Sequence, residues 1–132
     1  MTNVPRHWPI TDDLSALRDR VGSYASGAGL STQRAQDLEL AVSEAAANVL
    51  EHGGGHGTLS IWADELDLTV EIADTAGRLA PHHAYPQPPS TQAPRGFGLW
   101  LMGQVCDEIS IDQQPGGSRL RLRMALTPAP NG

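Results

Sequence analysis

Glu44, Asn48 and His52 stand four residues apart in the run Glu44-Ala-Ala-Ala-Asn48-Val-Leu-Glu-His52, and in a helix that spacing projects the three side chains along one row. A carboxylate beside a neutral oxygen donor suits a magnesium-bound triphosphate, which needs hard oxygen for the cation and a base to polarise water. The plainer reading is a polar stripe on a half-exposed helix. Asparagine argues against it, because it is a poor helix former unless its side chain is used. The row reads as one wall of a nucleotide pocket.

Three further groups carry possible chemistry. Asp74 shares strand parity with Leu66, Leu68, Val70 and Ile72, which places its carboxylate on a core face where it requires a partner. It suits an exocyclic amine such as that of adenine, or else caps the following turn. Gly96-Phe97-Gly98, before the apolar residues Leu99, Leu101, Met102 and Val105, either opens a helix with its N–H groups turned to an anion or is a glycine turn into a core helix. It is not a dinucleotide fingerprint: a proline-rich loop precedes it, and Leu101 stands where the third glycine would be. His52 and His56 are separated by three glycines and His82 and His83 are adjacent, spacings that support no closed transition-metal site.

Composition narrows the chemistry. All nine basic residues are arginine, which excludes a P-loop, a eukaryotic-type protein kinase and Schiff-base catalysis, since each needs a lysine. A net charge of −6 argues against strong sequence-independent nucleic-acid binding. No apolar run approaches a membrane span and the N-terminus has no signal-peptide pattern, so a cytoplasmic location is expected. Cys106 is the one cysteine, and its apolar neighbours Met102 and Val105 point to an inert, buried thiol on a helix.

The elements that must position these groups follow from periodicity. One domain is expected for 132 residues. After an extended lead over 7–10, Thr11 or Asp12 caps a helix with Leu14, Leu17, Val21 and Tyr24 on one face, and Gly27 and Gly29 end it. Ser31 caps a second helix whose core stripe is Leu38, Val42, Ala45 and Val49, ending at Gly53. The Glu44/Asn48/His52 row then lies about a quarter turn from that stripe, at the edge of the core. Residues 58–63 and 66–74 alternate as an antiparallel hairpin around Asp64-Glu65. The stretch 75–95, rich in proline and poor in apolar residues, reads as a flexible lid. Ile109 and Ile111 begin a further strand, Pro115-Gly116-Gly117 turns, and 118–126 forms the last strand, with Leu120, Leu122, Met124 and Leu126 inward, Ser118 on the same face, and Arg119, Arg121 and Arg123 outward. Those arginines form a solvated face or a surface for an acidic protein.

Taken in order, these segments resemble the N, G1 and G2 boxes of the GHKL ATPase superfamily, most closely its anti-sigma-factor serine/threonine kinases of the RsbW/SpoIIAB type. The likeness spans about residues 8–126, leaving 127–132 as a flexible tail, and rests chiefly on Ala41-Val-Ser-Glu44-Ala-Ala-Ala-Asn48-Val-Leu-Glu-His52-Gly53. It implies an α/β two-layer sandwich of the Bergerat type, with a mixed, mostly antiparallel sheet covered by helices on one face. It implies ATP and Mg2+ as cofactors, Glu44 as the base, Asn48 as the magnesium ligand and His52 at the phosphate end. Asp74 would read the adenine amine, with Gly77 in the G1 box and Ser118 near adenine. Gly96, Gly98 and the amide of Leu99 would contact phosphate; apart from the resemblance, the adjacent Arg95 has the chemistry to stabilise transferred charge.

The resemblance also implies partners: a sigma factor to sequester, an anti-anti-sigma protein of STAS type to phosphorylate, and a second copy of the chain as a homodimer, without nucleic acid or membrane. The G1 pattern departs from Asp-x-Gly-x-Gly, since Ala76 and Arg78 occupy the glycine positions. A module that keeps the fold and binds partners without phosphotransfer is the alternative. A metal-dependent hydrolase using His52, His56, His82 and His83 is a third possibility, and it predicts metal retained through dialysis.

Overall fold

A computed structural model describes residues 3–52, 56–74, 105–114 and 117–126. Two helices, Leu14–Gly27 (α1) and Thr32–His52 (α2), lie on one face of a sheet built from Asn3–Pro9 (β1), Gly57–Ala63 (β2), Asp67–Asp74 (β3), Glu108–Gln114 (β4) and Gly117–Ala125 (β5). The strand order is β1-β2-β3-β5-β4. Every pairing among the described strands is antiparallel, so the mixed sheet anticipated from the family resemblance is purely antiparallel in this part.

Local chemistry explains the helix boundaries. The cap of α1 is Asp13 rather than Thr11 or Asp12, because its Oδ1 reaches the N–H of Ala16 at 3.1 Å. Thr11 instead accepts the N–H of Asp13, one step outside the helix. At the other end, Leu30 N–H donates to the carbonyl of Ala25 and Gly29 N–H to that of Ser26, with Gly29 at φ +106°. This is the Schellman arrangement, and buried Leu30 seals it against buried Ala25. Ser31 caps α2 as expected, its hydroxyl accepting the N–H of Arg34.

The helices and sheet share one core. Leu17 and Val21 of α1, Leu38, Val42, Ala45 and Val49 of α2, and the inward residues Leu59, Ile61, Leu68, Val70, Ile72, Leu120, Leu122 and Met124 are all buried in it. Two ends of the expected strands fall outside. Leu66 is 67% exposed, because Asp64 Oδ1 accepts the N–H groups of both Leu66 and Asp67 and folds the corner before the strand begins. Leu126 follows β5, partly buried against the core.

The outer face of the sheet is largely occupied by its own charges. Arg121 pairs with Glu71 at 2.7 Å and lies over the Trp62 ring, and Arg123 pairs with Asp67 and Glu108. Two of the three outward arginines are thus engaged within the chain. The extended lead is a strand at the edge of the sheet among the described residues, with a register shift between Asn3 and Arg6. No helix among the described residues is long and apolar enough to cross a membrane.

Candidate functional site

The row on α2 faces away from α1. Arg18 of α1 donates to Ser43 Oγ at 3.0 Å, and Gly22 lies so close to Glu39 that an added Cβ would stand 2.7 Å from its carboxylate. These contacts fix the flank of α2 that α1 covers. At about 100° per residue, Glu44 lies about 100° and Asn48 about 140° round the helix from Ser43, on the opposite flank. Both are half-buried, as expected for a row at the edge of the core. His52 is the last residue of α2, and its side chain lies outside the described residues.

Beneath the C-terminal half of α2, the ends of three strands form a floor. Gly57 pairs with Asp74, and Asp74 pairs with Ser118. Asp74, 4% exposed, and Ser118, 1% exposed, are the two buried polar residues among those described, so the parity reading of both is correct. The helix is seated on this floor by Gly57. A Cβ there would meet the Ala73 carbonyl oxygen at 2.6 Å and Val49 Cγ1 at 2.8 Å. Val49 adjoins Asn48 in the chain and Gly57 is the cross-strand partner of Asp74, so the turn bearing Asn48 and the buried carboxylate occupy the same end of the sheet. Sequence reasoning missed Gly57; its only signal was a glycine at the start of an apolar alternating run.

Residues 8–124 match the histidine kinase-like ATPase domain. The chain belongs to that family. Among its relatives, an anti-sigma F factor of Clostridium acetobutylicum is 27% identical over 114 residues, covering 80% of each chain. The RsbU and RsbW domains of a Mycobacterium tuberculosis protein superpose with a TM-score of 0.70 at 18% identity, over 96% of this chain and 34% of that one, so this chain spans about a third of that protein's length. The SiaB–SiaC complex of Pseudomonas aeruginosa gives a TM-score of 0.68 at 14% identity, over 93% of this chain and 89% of the matched one. At those identities the two structures speak for the fold alone, and it is the α/β sandwich that the family resemblance implied.

A histidine kinase-like ATPase implies a bound nucleotide, and the residues present fit one. The buried carboxylate of Asp74, at a strand end, offers the acceptor that an exocyclic amine needs. Asn48 presents a neutral oxygen suited to a hard cation and Glu44 a half-exposed carboxylate. Gly77, Arg95, Gly96, Gly98 and Leu99, with the expected lid, lie outside the described residues.

Cys106 is accounted for structurally. Cys106 is buried, and burial together with the neighbouring charge of Asp107 pushes its thiol up to about 12, so it is inert as expected; it sits in a bend just after Val105 rather than on a helix. Among the described residues no group of three or more histidine, cysteine or acidic side chains is placed to hold a metal; His82, His83 and the side chain of His52, three of the four groups of the hydrolase reading, lie outside them.

Proposed function

We infer that this chain is an anti-sigma factor that binds Mg-ATP and phosphorylates a serine or threonine of a STAS-type anti-anti-sigma protein, controlling transcription by sequestering a sigma factor in the cytoplasm, as a homodimer. The supporting observation is the shared location of Glu44 and Asn48, on the flank of α2 away from α1, and the buried pair Asp74 and Ser118 at the same end of the sheet. The relative in Clostridium acetobutylicum is an anti-sigma F factor, which supports the partner class.

Each residue has a distinct task. Asp74 accepts the amine N–H of adenine, and Ser118 lies against it as a second polar contact. Asn48 offers its side-chain oxygen to magnesium. Glu44 takes the proton from the partner's hydroxyl, which leaves the oxygen nucleophilic. His52, Gly77, Gly96, Gly98 and the Leu99 amide line the phosphate side, Arg95 offsets charge, and residues 75–95 act as the lid. Mg-ATP, when bound, supplies the phosphoryl group. Preorganised charge and positioning, rather than covalent chemistry by the protein, carry such reactions.

A second reading, sequestration without phosphotransfer, is favoured by Ala76 and Arg78 at the glycine positions of the G1 segment. Incubation with γ-labelled ATP and a candidate anti-anti-sigma protein separates the two. Label on the partner, lost in Glu44→Ala while the complex still forms, is the expected result. A tight complex that never acquires label supports sequestration alone.

A further inference from the structure

Arg18 and Gly22 mark the flank of α1 that meets α2. At about 100° per residue, Arg20 lies about 200° and Tyr24 about 240° round the helix from Arg18, so both face away from α2 and toward the edge strand β1. Arg6 and Trp8 of β1 border the same space. Between strand and helix runs an open groove of about 440 Å3, lined by Arg6, Trp8, Asp19, Arg20, Ser23 and Tyr24. Its walls are tied together. The Tyr24 hydroxyl donates to the Val4 carbonyl at 2.9 Å, and Trp8 is partly buried against the core. Burial raises the Tyr24 phenol while the charge of Arg6 works in the opposite direction, which places the Arg6 guanidinium near that hydroxyl.

Charge sets this groove apart from the rest of the surface. Arg34, Arg121 and Arg123 are each bonded to carboxylates, and Arg18 is bonded to Ser43. Arg6 and Arg20 are exposed, and among the described residues neither forms an ion pair, even with Asp19 in the same groove. In a chain of net charge −6, two guanidiniums beside two aromatic rings make a local basic and apolar surface. Each guanidinium presents a planar fork of donors that matches a carboxylate, and the rings offer area to an apolar side chain.

The backbone of β1 narrows the choice of occupant. Ile10 N–H donates to the Gly57 carbonyl, so by alternation Arg6 and Trp8 turn their backbone groups to β2, whereas His7 and Pro9 turn theirs to the open edge. Proline has no N–H to offer, and Pro5 removes another donor from the strand. An added strand would find a poor ladder here. The groove therefore suits an occupant held by side chains, not a second copy that continues the sheet. Polynucleotide binding depends on neutralising many phosphates, and two arginines beside an aspartate do not supply that. A short segment with a few carboxylates needs no more than these two.

We propose that the groove between α1 and β1 docks an acidic segment of a protein partner, with carboxylates on Arg6 and Arg20 and an apolar side chain against Trp8 and Tyr24. The proposal does not depend on the nucleotide reading, because the groove lies on the flank of α1 away from α2.

Fluorescence anisotropy with a fluorescein-labelled octapeptide carrying four glutamates around one leucine tests this on the full-length protein, Arg6→Gln, Arg20→Gln, the double variant and Arg119→Gln. Arg119 is the control: it is exposed and also forms no ion pair among the described residues, but it belongs to the outer face of the sheet. The expected result is saturable binding, weakened about threefold to fivefold by each groove substitution, further in the double variant, and unchanged in Arg119→Gln. All three positions are exposed, and circular dichroism checks that each variant keeps the fold. Absence of saturable binding overturns the proposal, as does an equal loss in Arg119→Gln, which would mark diffuse charge attraction. Equal affinity for the same peptide with glutamine in place of glutamate, or for a fluorescein-labelled oligothymidylate, overturns it too. Self-association of the wild type that is lost in Arg6→Gln, without peptide binding, would assign the groove to a second copy and likewise end the proposal. None of these measurements involves ATP, so a failure here leaves the nucleotide reading standing.

Discussion

Gly57→Ala is the substitution that tests the seating of α2 on the sheet most directly. The described glycine with a positive φ is Gly29, so the backbone at 57 accepts alanine without torsional strain. Restricting the unfolded chain would by itself stabilise the protein by about 0.4–1 kcal/mol. Packing opposes this. The new methyl would stand 2.6 Å from the Ala73 carbonyl oxygen, 2.8 Å from Val49 Cγ1 and 3.3 Å from Ile10 Cδ1. The oxygen belongs to the β3 backbone and cannot turn away, and Val49, fully buried, has no free volume to enter. Overpacking of this kind costs about 1–3 kcal/mol, and the severity of two contacts below 3 Å places it near the upper end. The net expectation is a destabilisation of about 2 kcal/mol, a fall in Tm of roughly 5–10 °C for a chain of this size. Urea and thermal unfolding followed by circular dichroism would measure it. Val49→Ala in the Gly57→Ala background should recover part of the loss, because the two side chains compete for one space and their effects are not additive. A Gly57→Ala protein as stable as wild type, or more so, would refute the packing of α2 on β2 and with it the convergence of Asn48 and Asp74.

Two further outcomes follow from the titrating groups. Cys106, pushed up to about 12 by burial and then by Asp107, should react with a disulfide reagent near pH 8 at least about a hundredfold more slowly in the folded protein than in urea, and equal rates would place the thiol at the surface. For Asp107, burial works against ionisation, but the Ala125 N–H and the Arg34 guanidinium outweigh it and hold the carboxyl below its ordinary value. A depressed carboxyl stabilises the fold above its unfolded pKa of about 3.9, and that contribution is lost as the pH falls through the folded value. Wild-type stability should therefore decline more steeply than that of Asp107→Asn between about pH 5 and about pH 3, and parallel acid profiles would show that these bonds do not form in solution.

Much of this architecture is written in short stretches of sequence. The stripe Leu38, Val42, Ala45, Val49, the cap Ser31 and the alternation of 58–63 and 68–74 each depend on neighbours within a turn or two, and each appears in the structure as expected. Errors arise where two local signals compete. Thr11, Asp12 and Asp13 are all competent caps, and only the path of the backbone decides among them. Leu66 fits the alternation by parity, but the Asp64 turn claims its N–H first. The outward arginines could not be assigned in advance, because Glu71, Asp67 and Glu108 become their neighbours only through the strand order.

By itself, then, the sequence determined which residues are chemically capable and which way each one points on its own element: Glu44 and Asn48 in one helical row, Asp74 and Ser118 on inward strand positions. Periodicity and capping are short-range, so no knowledge of distant segments was needed. The tertiary structure alone decided that β3 lies between β2 and β5, which puts Ser118 on one side of Asp74 and Gly57 on the other, and that α1 covers the flank of α2 away from Glu44 and Asn48. Those arrangements depend on pairings between residues far apart along the chain, and such pairings are set by how whole faces bury against one another, for which no single stretch carries a mark.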